Sequence, residues 1–280
     1  MNSIKLSKIG EKILKNKFVN NSGLESELIL SNILNTTREK LIIYPKKNLS
    51  KFIEKKFYID VHKRVNKKPI AYITGYKEFW RKRFFTNEYV LIPRPDTELI
   101  VEKVLSCYDL NDSKKILDIG TGSGCIILSL LLERKKFRGI GIDISKYAIN
   151  VAKINAKMHQ LENRIKLINT DIDKFFLGKY DLIVSNPPYI KKSKLSSLNE
   201  DVKHFEPKLA LDGGIDGYST ILKVIKKSSK LLKKRGNLFL EIDNSQMLRT
   251  KEILLKNNFF TKEICKDLSG LNRCLVATKL

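Results

Sequence analysis

Asn186-Pro187-Pro188-Tyr189 closes an apolar run, Asp181-Leu182-Ile183-Val184-Ser185, and its residue types suit one kind of chemistry. Two successive prolines remove backbone donors and fix φ, so the Asn amide and the neighbouring carbonyls are held still. An amide or aromatic amine nitrogen is a poor nucleophile, because its lone pair is delocalised into the adjoining π system. Accepting both of its N–H hydrogens, on Asn186 Oδ1 and the Pro187 carbonyl, favours pyramidalisation and aims the lone pair. Transfer would then be an in-line displacement governed by orientation and electrostatics. Tyr189 offers a flat face on which a planar amide or base can lie. Asn186, Pro187 and Tyr189 are the candidate catalytic residues, and Pro188 joins them in the candidate substrate site. No strong general base is required, since the proton can leave once the nitrogen is cationic.

The electrophile is suggested by a second motif, Asp118-Ile119-Gly120-Thr121-Gly122-Ser123-Gly124, which follows one apolar run and opens another. Alternate glycines let the backbone turn tightly and press against a ligand, and a helix N-terminus offers amide donors. The spacing is not the dinucleotide pattern, whose last glycine falls one position later. Asp118 adds a carboxylate that suits a cationic ligand, such as the amino-acid end of S-adenosylmethionine, through ordered water. Asp143 ends the next apolar run about twenty residues on, where an acid can accept both ribose hydroxyls. Each aspartate alone could merely cap a helix. Together they make Asp118, Gly120, Thr121, Gly122, Ser123, Gly124 and Asp143 the candidate cofactor residues.

These motifs need a scaffold. From Asn111 onward the chain alternates apolar runs with helical patterns, with strands expected at 115–119, 138–144, 164–169, 180–185, 237–242, 261–268 and 272–278. That rhythm predicts an α/β fold with a mainly parallel sheet, helices on both faces and an antiparallel hairpin at one edge. Residues 1–78 read as short helices with stripes at Ile4, Ile9, Ile13 and Leu14, then Leu24 to Leu34, then Phe52 to Val61, the last ended by Pro69. Residues 79–95 read as a hairpin linker turning at Thr86-Asn87-Glu88, and 96–280 as the catalytic domain. Asp96 or Thr97 is the expected cap of the helix that follows.

Composition narrows the class. The net charge of +24 points toward nucleic acid. The excess is mainly Lys, spread over the chain among many Asn and Ile residues, as compositional drift on solvated faces would give. It could still help the protein meet a partner that lives on RNA, but direct nucleic-acid binding is not the expected main role. Four cysteines with no C-x-x-C pair and three histidines predict no metal site and no disulfide. No apolar stretch is long enough to span a bilayer and no signal peptide is read, so a soluble, cytoplasmic protein is expected.

With these motifs in this order, the sequence resembles the PrmC/HemK-like release-factor glutamine methyltransferases. Further segments carry the resemblance: Pro69 to Gly75 with Glu78-Phe79-Trp80, Leu91-Ile92-Pro93-Arg94-Pro95-Asp96-Thr97-Glu98, Glu206-Pro207-Lys208-Leu209-Ala210-Leu211-Asp212-Gly213-Gly214, and Asp267-Leu268-Ser269-Gly270. The resemblance implies a class I S-adenosylmethionine-dependent methyltransferase, Rossmann-like and seven-stranded, with a small N-terminal helical domain that docks the substrate. It implies methylation of the side-chain N5 of the Gly-Gly-Gln glutamine in class 1 peptide-chain release factors. It places Asn186 against the cofactor as well as the glutamine. Relatives carry an aromatic residue on adenine where this chain has Ile172, and Glu-Ile-Gly where it has Glu241-Ile242-Asp243. The first change weakens the adenine contact, and the second should matter little. Arg94 and Lys208 are expected to be solvated or locally paired. The main rival is a DNA adenine N6-methyltransferase, whose acceptor is nearly the same planar nitrogen. Such enzymes flip a base and need a recognition domain, and the connections after Tyr189 are short. Another protein's glutamine, a ribosomal acceptor and a non-catalytic cofactor sensor are further alternatives.

Overall fold

The computed structural model describes residues 1–280. Its elements are α1 (Ser3–Lys15), α2 (Ser22–Ile33), α3 (Arg38–Ile43), α4 (Lys51–Val65), α5 (Ile70–Thr74), β1 (Tyr76–Phe79), β2 (Lys82–Phe85), α6 (Glu98–Cys107), β3 (Lys115–Ile119), α7 (Cys125–Glu133), β4 (Arg138–Asp143), α8 (Lys146–Met158), β5 (Ile165–Asn169), β6 (Tyr180–Ser185), α9 (Glu200–Phe205), α10 (Ser219–Leu231), β7 (Leu232–Glu241), α11 (Met247–Lys256), β8 (Phe259–Lys266) and β9 (Asn272–Lys279).

Two compact units form. The first comprises Met1–Tyr76 with Asn199–Phe205, and the second Lys77–Leu198 with Glu206–Leu280. In the first, Leu6, Leu14, Ile29, Leu30, Phe57 and Val61 form the core. The buried face of α1 is therefore Leu6, Gly10 and Leu14, while Ile4 is exposed. The expected stripe was rotated because Gly10 has no side chain to signal burial. Phe57 fills the space a methyl there would take, 2.4 Å from Phe57 Cζ. Phe52 and Ile59 of the third stripe also face solvent. Pro69 starts α5 rather than ending α4.

The second unit is a seven-stranded sheet in the order β5-β4-β3-β6-β7-β9-β8. All neighbours are parallel through β7, and β9 runs antiparallel to β7 and β8. Strands such as Ile116-Leu117 and Leu182-Ile183-Val184 are fully buried because helices cover both faces. The chain leaves β3 toward β4 and returns through β6 on the other side, which opens a crevice at their carboxyl ends. The α/β expectation holds. The strand expected at 237–242 is longer and starts at Leu232, directly after α10 ends at Leu231.

Residues 79–95 are not a linker. Phe79 and Phe84 belong to the core of the second unit, beside Ile100, Val104 and Ile127. The hairpin turns at Trp80-Arg81, both with positive φ, and not at Thr86-Asn87-Glu88. Two-residue hairpins demand that backbone, usually from Asn-Gly, which hid the turn in a Trp-Arg pair. Glu98 Oε1 accepts from the Trp80 amide at 2.8 Å and Glu133 Oε1 from the indole at 3.0 Å, which ties the turn down.

Candidate active site

The crevice encloses a cavity of about 380 Å³ at the ends of β3, β4 and β6, within the range of small-molecule sites. Gly120, Thr121, Gly122, Ser123, Asp143, Ile172, Asn186, Pro187 and Pro188 all line it. One cavity thus joins both sets of expected residues.

The glycine loop is shaped by its own hydrogen bonds. Gly120 and Thr121 amides both donate to the Ile142 carbonyl at 2.9 Å, and Gly122 donates to Asp143 Oδ2 at 2.9 Å. These donors are spent internally, so the loop is no phosphate cradle. Gly120 (φ +74°) and Gly122 (φ +55°) adopt left-handed backbone, and a methyl on Gly120 would meet nothing within 4 Å. That open space beside the backbone is where a ligand can approach closely. Gly124 differs from expectation. It does not line the cavity, and a methyl there would press on Leu128 Cδ1 at 3.0 Å. Its role is to let α7 start close against its neighbours.

Asp118 also lies behind the wall rather than in it. It is fully buried, Oδ2 accepts from the Thr121 hydroxyl at 2.7 Å, and Oδ1 has no partner. Burial pushes its carboxyl up to about 7, against the Thr121 hydrogen bond, with the nearby Asp143 charge adding to the rise. Asp143 reaches the cavity. Its two oxygens hold the Gly122 amide and, at 2.9 Å, the Ser145 amide, and burial raises its pKa despite both bonds. It therefore caps the next turn and still presents lone pairs to a diol. Two carboxylates at this end favour a cation. The cavity's own cations are engaged, Arg94 by Glu206 and Lys223 by Asp173. Small glycines, a diol-accepting acid and a buried orphan carboxyl oxygen fit S-adenosylmethionine. Ile172 also lines the wall.

At the other end, Asn186 Nδ2 donates to Thr97 Oγ1 at 3.0 Å. The amide is thereby oriented, and Oδ1 has no protein donor. Thr97 is 3% exposed and makes no capping hydrogen bond to α6, so the expected cap serves the site instead. Tyr189 departs from expectation as well. Its ring packs against the core beside β7 and does not line the cavity, and its hydroxyl donates to Glu241 Oε1 at 3.4 Å. Burial pushes its phenol well up. Gln246 Nε2 donates to the Tyr189 carbonyl at 3.2 Å, and Gly213 packs so close that a methyl would sit 2.8 Å from Tyr189 Cα.

The other sequence motifs brace this end. Glu206, 5% exposed, accepts from the Ile92 amide at 3.1 Å and pairs with Arg94, so Arg94 is locally paired, while Lys208 is exposed. Arg273 bridges Asp267 at 3.0 Å and Asp96 at 3.3 Å. Asp243 has φ −72° and caps the turn before α11, so a glycine is not needed there. Thr97, Glu206, Glu241 and Arg273 were missed as functional positions. The first three stood inside quoted segments, but nothing local singled them out. No group of three or more His, Cys, Asp or Glu side chains stands ready to hold a metal, and no helix is long and apolar enough to cross a membrane.

Residues 5–75 match the PrmC N-terminal domain model and residues 96–205 the methyltransferase small domain model. The chain is 37% identical to a release factor glutamine methyltransferase of Clostridium acetobutylicum, over 91% of this chain and 90% of that one. It is 36% identical to a bifunctional methyltransferase of Rickettsia typhi over 97% of its own length, but it spans only 54% of that protein. A methyltransferase structure from Pyrococcus furiosus shares the fold over 70% of this chain and 88% of that one, with a TM-score of 0.53 at 18% identity.

Proposed function

The chain belongs to the release factor glutamine methyltransferase family, and from that premise we propose that it methylates the side-chain N5 of the Gly-Gly-Gln glutamine in class 1 peptide-chain release factors. S-adenosylmethionine, when bound, supplies an electrophilic methyl on a sulfonium. Gly120 and Gly122 give it room, Asp143 takes the ribose hydroxyls and Ile172 lies along the base. Asp118 acts from behind the loop, fixing Thr121 and, once ionised, adding negative charge toward the amino-acid end.

One observation carries the acceptor assignment: Asn186 is held through Nδ2, so its unpartnered Oδ1 faces the task of accepting a hydrogen. A primary amide brings two N–H donors, and Asn186 Oδ1 with the Pro187 carbonyl would take both. Those bonds turn the nitrogen lone pair toward the methyl, and fixed acceptors lower the cost of the cationic nitrogen that forms. The amide then loses a proton to solvent. Tyr189 acts from behind, holding the Pro188–Ile190 segment through its hydroxyl and carbonyl. The work is done in the cytoplasm, where release factors act.

The test is to incubate the protein with S-adenosylmethionine and a purified class 1 release factor, then locate the methyl by tandem mass spectrometry. The methyl is expected on the glutamine side-chain nitrogen of Gly-Gly-Gln. A methyl on any other residue overturns the proposal.

A further inference from the structure

Tyr89 is the only aromatic residue that lines the cavity. It reaches the wall from the segment after β2, not from the strand ends that carry the other cofactor residues. Asn87 sets its place: Oδ1 accepts from the Tyr89 amide at 3.1 Å, and the Asn87 carbonyl from the Val90 amide at 3.2 Å. Val90, 1% exposed, packs against Ala148 and Val151, which seats the segment on α8. The Tyr89 ring then stacks on Tyr147, with centroids 4.6 Å apart and planes 19° from parallel. Tyr147 belongs to the first turn of α8, and Ser145 ties that turn to Asp143. Its amide donates to Asp143 Oδ1 at 2.9 Å, and its hydroxyl accepts from the Ala148 amide at 3.2 Å. Tyr89 therefore stands at the ribose-accepting end of the cavity.

Tyr147 covers one face of the Tyr89 ring, yet Tyr89 remains 45% exposed. A ring already held against a helix has little side-chain freedom left to lose when a ligand arrives. What it offers is a flat surface beside Asp143. The base of a nucleoside whose hydroxyls rest on Asp143 lies one glycosidic bond further on, and bases stack favourably on aromatic side chains. Position 172 supplies no ring, since the residue there is Ile172. Offset stacking extends naturally to a third plane, in the order Tyr147, Tyr89, purine.

Resting on the cofactor reading above, we propose that Tyr89 is a cofactor-binding residue that stacks on the purine of S-adenosylmethionine. Tyr147 is the positioning residue that backs its ring. The pair supplies the aromatic surface that position 172 lacks.

Titration calorimetry with S-adenosylhomocysteine, which keeps the nucleoside and needs no turnover, tests it. Affinity should fall about fivefold or more in Tyr89→Leu, which keeps apolar bulk without a ring, and stay within about twofold of wild type in Tyr89→Phe. Tyr147→Leu should lose less, and Tyr89→Leu with Tyr147→Leu no more than Tyr89→Leu alone. In proton NMR, the adenine ring protons of the bound ligand should move upfield under the tyrosine ring current. That shift should shrink in Tyr89→Leu and persist in Tyr89→Phe, while melting curves show every variant folded. Unchanged affinity in folded Tyr89→Leu, an equal loss in Tyr89→Phe, or adenine resonances indifferent to the Tyr89 ring overturns the proposal. If wild type itself fails to bind S-adenosylhomocysteine, the cofactor reading falls and this inference with it. Wild-type binding with an unaltered Tyr89→Leu brings down this inference alone.

Discussion

Asn186 donates from Nδ2 to Thr97 Oγ1 at 3.0 Å, across 89 positions of sequence. The strand-end motif and the Pro-Arg-Pro-Asp-Thr segment are thus one device, in which the second orients the amide of the first.

Replacing Asn186 with Ala removes the oriented acceptor and leaves the backbone turn in place. Turnover should fall roughly 100-fold or more, the order seen on removing a preorganised polar contact. Cofactor affinity and melting temperature should barely change. Steady-state kinetics beside calorimetry checks both, and undiminished turnover would refute the role of the amide.

Asp143→Ala should act on the other substrate. It removes the ribose acceptor and frees the Gly122 and Ser145 amides that hold the loop. Titration calorimetry should show cofactor affinity reduced by at least about tenfold, consistent with losing hydrogen bonds to a charged group. Equal affinity would show that Asp143 only caps the turn.

The three loop glycines should separate into two kinds. Gly120→Ala puts a methyl into open space at the cavity wall, at a backbone cost of roughly 1–2 kcal/mol. It should weaken cofactor binding more than it lowers stability. Gly124→Ala drives a methyl against Leu128 and should do the reverse. Melting curves and binding isotherms on both variants decide, and the same ratio of effects in each would contradict the division.

The strand rhythm and the glycine loop were legible in the sequence because their signals are local. Buried parallel strands read as apolar runs, and Gly120 to Gly124 with Asp118 are contiguous. Thr97 and Glu241 were not legible as site residues. Thr97 looks like a helix cap and Glu241 like a strand end, and only the sheet order brings them to Asn186 and Tyr189. The same limit misplaced Asp118, Gly124 and Tyr189, since residue type does not tell which side of a cavity wall a side chain occupies. The Trp80-Arg81 turn escaped because its strain is overcome by Phe79 and Phe84 in the core, a tertiary effect.

Asp118 also predicts a pH dependence of stability. Its folded pKa, about 7, lies above the ordinary 3.8. A raised carboxyl binds its proton more tightly in the folded state, so this contribution is full below about pH 4 and is lost as pH rises through about 7. Asp118→Asn cannot titrate and should lose less stability than wild type across that window, by an amount on the order of a few kcal/mol. Glu241, pushed up to about 7 by burial, keeps part of the slope in both proteins. Denaturant unfolding across this window measures the difference, and identical slopes would contradict a buried, protonated Asp118.

The most direct measurement is transfer of tritiated methyl from S-adenosylmethionine to three acceptors side by side: wild-type class 1 release factor, its Gly-Gly-Ala variant and duplex DNA. Label on the wild-type factor alone is the predicted result. Label on DNA alone, or equal label on the Gly-Gly-Ala variant, would contradict the assignment of the glutamine as acceptor.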